Sequence, residues 1–291
     1  NLMTPKLLLY GHIDTVDAPT ELFTPKVVGP KLYGRGAGDM KGQVAAMLTS
    51  YKRWLDSGGS REVGLLLTSD EEVGGFNGVR HVLEQGLTAK IVFIPDAGSD
   101  FSIVESQKAP HHFHILATSD GGHASRAFEL DNPVNRILSV YEQMKRKYGL
   151  ATKLSPWNST FEMTVINTPH PSANTIPALA EAWFSWRWPL EQFRFKDGVS
   201  DMEKVCAQWK CQILPDGHGM GEGCYSNPDA EFVKTWRRAI ETVLGRPIDC
   251  VKIHSSNDGR HFYKYGSEVL VTNPITGGHH TAEEWINIPS L

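Results

Sequence analysis

Histidines and carboxylates recur in this sequence directly after short apolar segments or within a glycine-rich loop. Imidazole nitrogen and carboxylate oxygen atoms bind zinc and similar divalent ions, and a carboxylate can also act as a general base. None of the four cysteines belongs to a CxxC pair, so neither a thiolate zinc site nor an iron–sulfur site is predicted. The candidate residues are His12, Asp14, Asp39, Glu71, Glu72, Asp96, His279 and His280.

His12 and Asp14 stand two positions apart after an apolar segment, so their side chains point the same way from a strand end. This arrangement suits a metal-binding histidine whose ring is oriented by a carboxylate that does not itself bind the metal. A turn histidine beside a solvated acid is the ordinary alternative. Asp39 lies in a loop with several glycines and is equally well explained as the N-cap of the helix that follows.

Glu71 and Glu72 could be an acidic helix start, which the helix dipole favours. Because adjacent side chains diverge, one of them could instead bind a metal while the other faces a substrate. Asp96 could be a plain turn residue, and His279 and His280 could belong to a polar loop. These alternatives require a separate explanation for each residue, whereas two divalent ions that share one bridging carboxylate explain them together.

The apolar segments predict the strands of a parallel sheet. Segments 7–10, 63–69 and 91–95 alternate with helical patterns, and segments 250–254 and 268–272 complete the sheet. Strands that are apolar on both faces predict helices on both sides of the sheet, which is an α/β fold. Ligands bind at the carboxyl ends of strands in such sheets, so we expect the acids and histidines to meet at one edge.

Two helices of this layer have a predicted apolar face that we expect to pack on the sheet. For the helix that ends near Gly58, the face consists of Val44, Leu48, Tyr51 and Leu55. For the helix that Asn227 and Pro228 are expected to cap, the face consists of Phe232, Trp236, Ile240 and Val243.

A second domain is predicted to interrupt the first. Its helix after the first strand is expected to start with Asn132 as N-cap and Pro133 at the first position. The element order β-α-β-β-α-β is the ferredoxin-like arrangement. The predicted strands are 111–119, 159–167, 180–188 and 211–214. The predicted domains are 1–107 with 217–291, and 108–216.

The composition is ordinary for a globular protein, with 291 residues, a formal net charge of −4 and 40% hydrophobic residues. No basic run indicates a nucleic-acid partner, and no apolar segment approaches the roughly 18–20 residues of a membrane span. The N-terminus has no signal-peptide pattern and the cysteines form no disulfide framework, so a cytoplasmic location is expected. A strand begins almost at the first residue, so we expect the sequence to be part of a longer chain.

Eight motifs carry most of the candidate residues and run across nearly the whole chain. They are GHIDTV (11–16), LYGRGAGDMKG (32–42), TSDEEVGG (68–75), PDAG (95–98), GGHAS (121–125), NTIP (174–177), SNDGR (256–260) and GGHHTAEEW (277–285). With these motifs the sequence resembles the zinc-dependent peptidases and deacylases that include acetylornithine deacetylase, succinyl-diaminopimelate desuccinylase and carboxypeptidase G. The set is very specific, although each motif alone is only moderately so.

The resemblance implies a ligand role for five residues. His12 and Asp96 resemble the ligands of one zinc ion, Glu72 and His280 those of a second, and Asp39 the bridge between them. Cobalt or manganese could replace the zinc.

The same resemblance implies that Glu71 is the general base and that Asp14 supports His12. His280 is preferred to His279 as the ligand because the family has a glutamate four residues after this histidine, which is Glu284 here.

The inserted domain resembles the lid and dimerisation domain of the family, which implies a homodimer. His123 resembles the histidine that reaches the active site of a neighbouring subunit, and an ordinary surface histidine is the alternative. Asn174, Arg187 and Arg260 resemble substrate contacts. Arg187 could instead be a structural arginine stacked on one of the nearby tryptophans, which are Trp183, Trp186 and Trp188.

The implied activity is hydrolysis of an amide bond in an N-acylated amino acid or a small peptide. A dipeptidase or aminopeptidase of the same family is the alternative, because residue 96 is aspartate whereas the deacylases more often have glutamate there. Glu283 also departs from the family, which usually has Asn or Asp at this position. The family's usual segments before the first strand and after the last loop are absent from the sequence.

One other class remains open and two are disfavoured. A mononuclear hydrolase would differ in metal stoichiometry. A non-catalytic binding protein that kept the fold is disfavoured by the intact set of candidate ligands and Glu71, and purified protein without metal would favour it. Dinucleotide binding is disfavoured because the sequence contains no GxGxxG motif.

Overall fold

The computed structural model describes residues 4–169, 172–214 and 223–291. The chain divides into unit 1, which contains Asn1–Gln107 and Cys224–Leu291, and unit 2, which contains Lys108–Gly223. The second domain boundary predicted from the sequence, 216/217, lies outside the described residues. In these described ranges, no helix has both the length and the apolar character that a membrane crossing requires.

The described residues form short strands, several of them consecutive along the chain, and α-helices. The strands are β1 (Leu7–His12), β2 (Lys26–Val28), β3 (Lys31–Tyr33), β4 (Val63–Thr68), β5 (Ile91–Ile94), β6 (Ile103–Gln107), β7 (Ala109–Thr118), β8 (Gly122–His123), β9 (Thr160–Asn167), β10 (Thr175–Ile176), β11 (Leu179–Trp188), β12 (Gln212–Leu214), β13 (Cys250–Ile253), β14 (Glu268–Val271), β15 (Thr276–Gly277) and β16 (Trp285–Asn287). The α-helices are α1 (Gly42–Asp56), α2 (Val79–Glu84), α3 (Pro133–Tyr148), α4 (Phe195–Gln208), α5 (Glu231–Leu244) and α6 (Gly259–Lys264).

Unit 1 is built on a parallel sheet with the strand order β14-β5-β1-β4. The last residues of β1 and β4, His12 and Thr68, lie side by side in register. Parallel strands end at the same edge, so the segments that follow β1, β4 and β5 emerge next to one another. The predicted α/β class is therefore confirmed, and the parallel ladder of this sheet has four strands.

The predicted strand at 250–254 is present but does not join this sheet. It corresponds to β13, which pairs in parallel with β6 in a separate two-stranded ladder. A second four-stranded sheet, with the order β15-β16-β3-β2, was not predicted. Its strands have only two or three residues each, too few to show a hydrophobic period in the sequence.

The predicted apolar face of α1 is only partly correct. The helix buries Gln43, Val44 and Met47 in its first half, whereas Leu48 and Leu55 are each 43% exposed. Met47 and Val44 pack with Met40 against the sheet residues Leu9, Leu67 and Phe93. The contact with the sheet is thus concentrated in the first turns, and the later apolar residues face outward.

The predicted start of α5 is wrong by three residues. Asn227 does not cap the helix, because its side-chain oxygen accepts a hydrogen bond from the N–H of Asp229 in a preceding turn. The helix begins at Glu231, with Ala230 as its N-cap. Val243 was predicted to be buried but is 80% exposed, and Leu244 packs in its place.

Unit 2 has the predicted ferredoxin-like arrangement. Its elements follow the order β7-α3-β9-β11-α4-β12, and its antiparallel sheet has the strand order β12-β7-β11-β9. The predicted N-cap of α3 is confirmed, since the Asn132 side chain accepts a hydrogen bond from the N–H of Val134. A core rich in aromatic residues fixes the sheet to the helices. It includes Phe113, Tyr148, Phe161, Phe184, Trp186 and Trp188.

Candidate metal centre

One group of side chains that could bind a metal forms where β1 and β5 end. The imidazole Nε2 of His12 lies 3.1 Å from Asp39 Oδ1 and 3.5 Å from Asp96 Oδ1. The His12 side chain is completely buried, and Asp96 lies two residues after the end of β5. The three side chains can supply one ligand atom each within 4.8 Å of one another, which suits a single metal ion.

A second group shares one residue with the first. His280 Nε2 lies 3.1 Å from Asp39 Oδ2 and 3.2 Å from Glu72 Oε2. These three residues also offer ligand atoms within 4.8 Å of one another. His280 lies in this group, whereas the Nε2 of His279 contacts the hydroxyl of Thr276 at 2.9 Å. Asp39 therefore directs one carboxylate oxygen to each group.

Asp14 belongs to neither group but contacts one residue of each. Its Oδ1 is 3.3 Å from His12 Nδ1, on the side of the ring opposite to Asp39. Its Oδ2 accepts a hydrogen bond of 3.0 Å from the backbone N–H of Glu72. Burial works to raise the pKa of Asp14, but the contacts with His12 and with this N–H outweigh it and lower the pKa. Asp14 is thus an anion that orients a ligand of each group.

The centre concentrates negative charge. Burial, partly opposed by His12, raises the pKa of Asp96 to about 7. Burial followed by the charge of Asp39 raises the pKa of Glu72. Burial disfavours a charge on His12, yet the contacts with Asp14, Asp39 and Asp96 raise its pKa. A divalent cation among these carboxylates would stabilise their ionised forms, and the mixture of imidazole and carboxylate groups fits one or two such ions.

Glu71 lies beside the two groups but, among the described residues, belongs to neither of them. It is the first residue of a short turn, Glu71–Val73, that follows β4. Burial is the main cause that raises the pKa of Glu71 well above its usual value, and the charges of Asp96 and Asp258 add to it. A partly buried carboxylate next to a metal centre can accept a proton from a water molecule.

Arg260 holds the turn that carries Glu71 and Glu72. Its side chain donates hydrogen bonds to the carbonyl oxygens of Gly74, at 2.8 Å, and Asn257, at 3.4 Å. The residue is 5% exposed. The sequence analysis assigned Arg260 to the substrate, and the structure adds this contact with the protein backbone.

Three further residues were not selected from the sequence, and one of them, His261, contacts the same turn. His261 Nε2 lies 3.0 Å from the Gly74 carbonyl, and burial lowers the pKa of His261 to about 4, so the neutral ring donates through this nitrogen. Asp258 is completely buried, and burial raises its pKa to about 6. The hydroxyl of Tyr10 donates a hydrogen bond to Asp258. The SNDGR motif contains Asp258, but the motif alone does not reveal this contact.

The remaining predicted site residues lie in unit 2. His123 and Asn174 come together, because Thr175 of β10 pairs with His123 of β8 and the carbonyl of Asn174 accepts from the N–H of Ala124. The His123 ring is exposed and contacts Ser125 Oγ through Nδ1 at 2.8 Å.

Arg187 lies in β11 and is half-buried. Strand alternation places it on the face opposite to the buried Trp186 and Trp188. Trp183 shares the face of Arg187, but its ring stacks on His114 with the ring centroids 4.0 Å apart.

Known proteins similar to this chain are enzymes that act on amide bonds. The chain is 27% identical, over 99% of its length and 80% of the relative, to the succinyl-diaminopimelate desuccinylase of Alkalilimnicola ehrlichii. Its fold is similar to that of a tripeptidase from Staphylococcus aureus, with a TM-score of 0.80 and 20% identity over 98% of this chain and 77% of that chain. It is also similar to an M20 family metallo-carboxypeptidase from Sulfolobus solfataricus, with a TM-score of 0.76 and 18% identity over 98% of this chain and 82% of that chain. Residues 8–291 match the model of peptidase family M20/M25/M40, so this chain belongs to that family of metal-dependent hydrolases.

Proposed function

We propose that this chain is a di-zinc hydrolase that cleaves the amide bond of an N-acylated amino acid or a small peptide. The observation that carries the proposal is Asp39, whose two carboxylate oxygens each face a separate group of ligand atoms. A mononuclear hydrolase needs only one such group. A carboxylate between two groups is the arrangement that two-metal hydrolases require.

His12 and Asp96 would hold one ion, Glu72 and His280 the other, and Asp39 both. This mixture of imidazole and carboxylate ligands suits zinc, and cobalt or manganese could replace it. The bound ions would lower the pKa of water from about 15.7 towards roughly 7 and polarise the substrate carbonyl.

Glu71 is the proposed general base. Its carboxylate accepts a proton from the attacking water and later returns it to the leaving amine. Because Glu71 is not among the metal-binding groups, its oxygens are available for this transfer. Asp14 keeps His12 in the ring orientation that directs Nε2 towards Asp39.

Unit 2 is proposed to form a homodimer and to contribute contacts to the substrate. His123, whose side chain is exposed, would stabilise the tetrahedral oxyanion in the neighbouring subunit's site. Asn174 and Arg187 would bind the rest of the substrate. Arg260 is retained as a candidate substrate contact beside its contact with Gly74.

The proposed substrate carries a free carboxylate. Guanidinium groups such as that of Arg187 bind carboxylates through two parallel hydrogen bonds, and the similarity to a desuccinylase supports an N-acylated amino acid. A dipeptide or tripeptide is the second candidate, which Asp96 and the similarity to a tripeptidase support.

The test combines metal analysis with a general-base variant. Glu71→Gln is expected to retain both zinc ions and to lose roughly 10²–10⁴-fold in kcat, because only proton transfer is removed. Glu84→Gln is the matched control, since Glu84 pairs with Arg80 on the exposed face of α2. Loss of metal from Glu71→Gln would make Glu71 a ligand, and full activity of the metal-free wild type would refute the proposed function.

The same preparations identify the substrate class. Hydrolysis is measured on N-acetyl amino acids, N-succinyl-diaminopimelate and dipeptides, each with and without a chelator. Preference for the acylated compounds supports the deacylase, whereas preference for the dipeptides supports the second candidate.

A further inference from the structure

We propose that Arg35 and Glu284 form a buried clamp that positions Asp39 and His280 for the second metal ion. The inference rests on the proposed di-zinc function and deepens it, because it identifies residues that act on the centre without binding the metal themselves. Neither residue was assigned a role from the sequence, where Glu284 served only to select His280.

Glu284 fixes the backbone around the bridging carboxylate. Its Oε1 accepts hydrogen bonds from the N–H groups of Gly38, at 2.9 Å, and Asp39, at 3.1 Å. Two N–H donors on one ionised oxygen form charge-assisted hydrogen bonds, which are stronger than those between neutral groups. Gly38 allows this approach, because a Cβ atom there would lie 2.8 Å from the carbonyl oxygen of Trp285.

Arg35 connects this support to the loop that carries His280. Its Nη1 donates to Glu284 Oε2 at 2.5 Å, and its Nη2 donates to the carbonyl oxygen of Thr281 at 3.2 Å. Thr281 directly follows His280 in the chain. The side chain of His280 is 54% exposed, so packing does little to hold its ring in place. A hydrogen bond to the next residue therefore matters for where the ring lies.

The clamp is poorly explained by stability alone. The side chains of Arg35 and Glu284 are only 4% and 2% exposed, so both charges are removed from water. Replacement of a buried ion pair by apolar residues is often neutral or stabilising. In addition, Arg35 Nε is buried and has no hydrogen-bond partner among the described residues. A pair that is costly to bury yet contacts both metal-bearing loops is best explained by the placement of those loops.

The first group should depend less on the clamp than the second, although both share Asp39. His12 is part of β1 and Asp96 follows β5, so the parallel sheet places both. On the far side of the bridge, Gln43 Nε2 donates to the Gly38 carbonyl at 2.6 Å and to Asn273 Oδ1 at 2.7 Å. This contact with Asn273, which follows β14, should hold the loop in place when Glu284 is altered. The clamp should therefore affect the second ion more than the first.

Two variants test the clamp. Glu284→Gln keeps an acceptor oxygen for the two N–H groups but removes the charge that pairs with Arg35. The double variant Arg35→Met/Glu284→Gln removes both charges and leaves no unpaired ion in the interior. Glu84→Gln is again the control, because it makes the same substitution in an exposed ion pair.

Metal-free protein is titrated with Zn²⁺ alone in a calorimeter, and its thermal unfolding is recorded separately. Both variants are expected to bind the first ion normally and the second roughly 10–100-fold more weakly. Activity should return at saturating Zn²⁺, and the metal-free double variant should unfold near the wild-type temperature. A clamp with only a structural role would lower the unfolding temperature and leave both affinities unchanged.

The outcomes separate this inference from the proposed function. Two ions bound by Glu284→Gln with wild-type affinity, or failure of both variants to fold, would overturn the clamp and leave the di-zinc assignment standing. A wild-type protein that binds fewer than two ions would instead refute the proposed function.

Discussion

The two groups of candidate ligands differ in burial and in the elements that position them. In the first group, the side chains of His12 and Asp96 are 0% and 5% exposed and lie at the ends of adjacent parallel strands. In the second group, Glu72 is 8% exposed but His280 is 54% exposed, and both lie in turns rather than strands. The same shared carboxylate therefore connects a buried, strand-supported group with a more open, loop-supported one.

We expect this difference to give the two proposed ions different affinities and exchange rates. Ligands on strands of a packed sheet keep their geometry more closely than ligands on loops. We expect the first ion to be held tightly and the second to exchange more readily, with solvent access through the His280 side. The connection through Asp39 means that neither group is complete without the bridge.

The largest expected effect follows from removal of the bridge. Asp39→Asn replaces one carboxylate oxygen by an NH2 group and removes the negative charge from the other, so both ions should be lost or weakened together. We expect kcat/KM to fall by at least about 10³-fold, because metal ions contribute several kcal/mol to transition-state stabilisation. Metal content and kcat/KM are measured together.

The exposed acid Asp56, which pairs with Lys52 on α1, provides the control variant Asp56→Asn. If Asp39→Asn retains one ion at wild-type affinity, Asp39 belongs to one group only and the comparison of two linked groups fails.

The next effect distinguishes the two groups from each other. His12→Ala removes a completely buried ligand and leaves the carboxylates of Asp14 and Asp96 without their partner, so the first ion should be lost and the fold destabilised. His280→Ala removes a half-exposed side chain, so the second ion alone should be lost. The free energy of unfolding of the metal-free His280→Ala variant should stay within about 0.5 kcal/mol of the wild-type value.

Metal content at graded chelator concentrations checks this prediction. The wild type should release its ions in two steps, and each variant should show one step. Equal effects of the two substitutions on metal content would contradict the proposed difference between the groups.

The meeting of the candidate ligands at one edge could be predicted from the sequence, because strand ends and sheet topology constrain where several of them lie. His12, Glu72 and Asp96 each follow an apolar segment, and parallel pairing of those segments brings their ends to one edge. The α/β class and the ferredoxin-like order could also be predicted, because the longer segments show the hydrophobic period of a strand or a helix.

The supporting contacts could not be predicted in this way. Arg35 and Glu284 are 249 positions apart, and they meet because β3 and β16 pair in a sheet whose strands are too short to show a pattern. Likewise, nothing in the sequence around Gly74 indicates that Arg260 and His261 donate to its carbonyl. Such contacts depend on tertiary packing of loops, where local propensity carries no information.

The smallest expected effect concerns Asp14, which contacts both groups without belonging to either. Asp14→Asn keeps an oxygen that can accept from the Glu72 N–H but loses the charge opposite His12 Nδ1. Variants of residues that orient metal ligands typically lose 10–100-fold in affinity or activity, and we expect a loss in that range. Because Asp14 touches a ligand of each group, calorimetric titration with Zn²⁺ should show both ions weakened by a similar factor. A loss confined to one ion would show that Asp14 serves that group alone, and the two groups would then be connected only through Asp39.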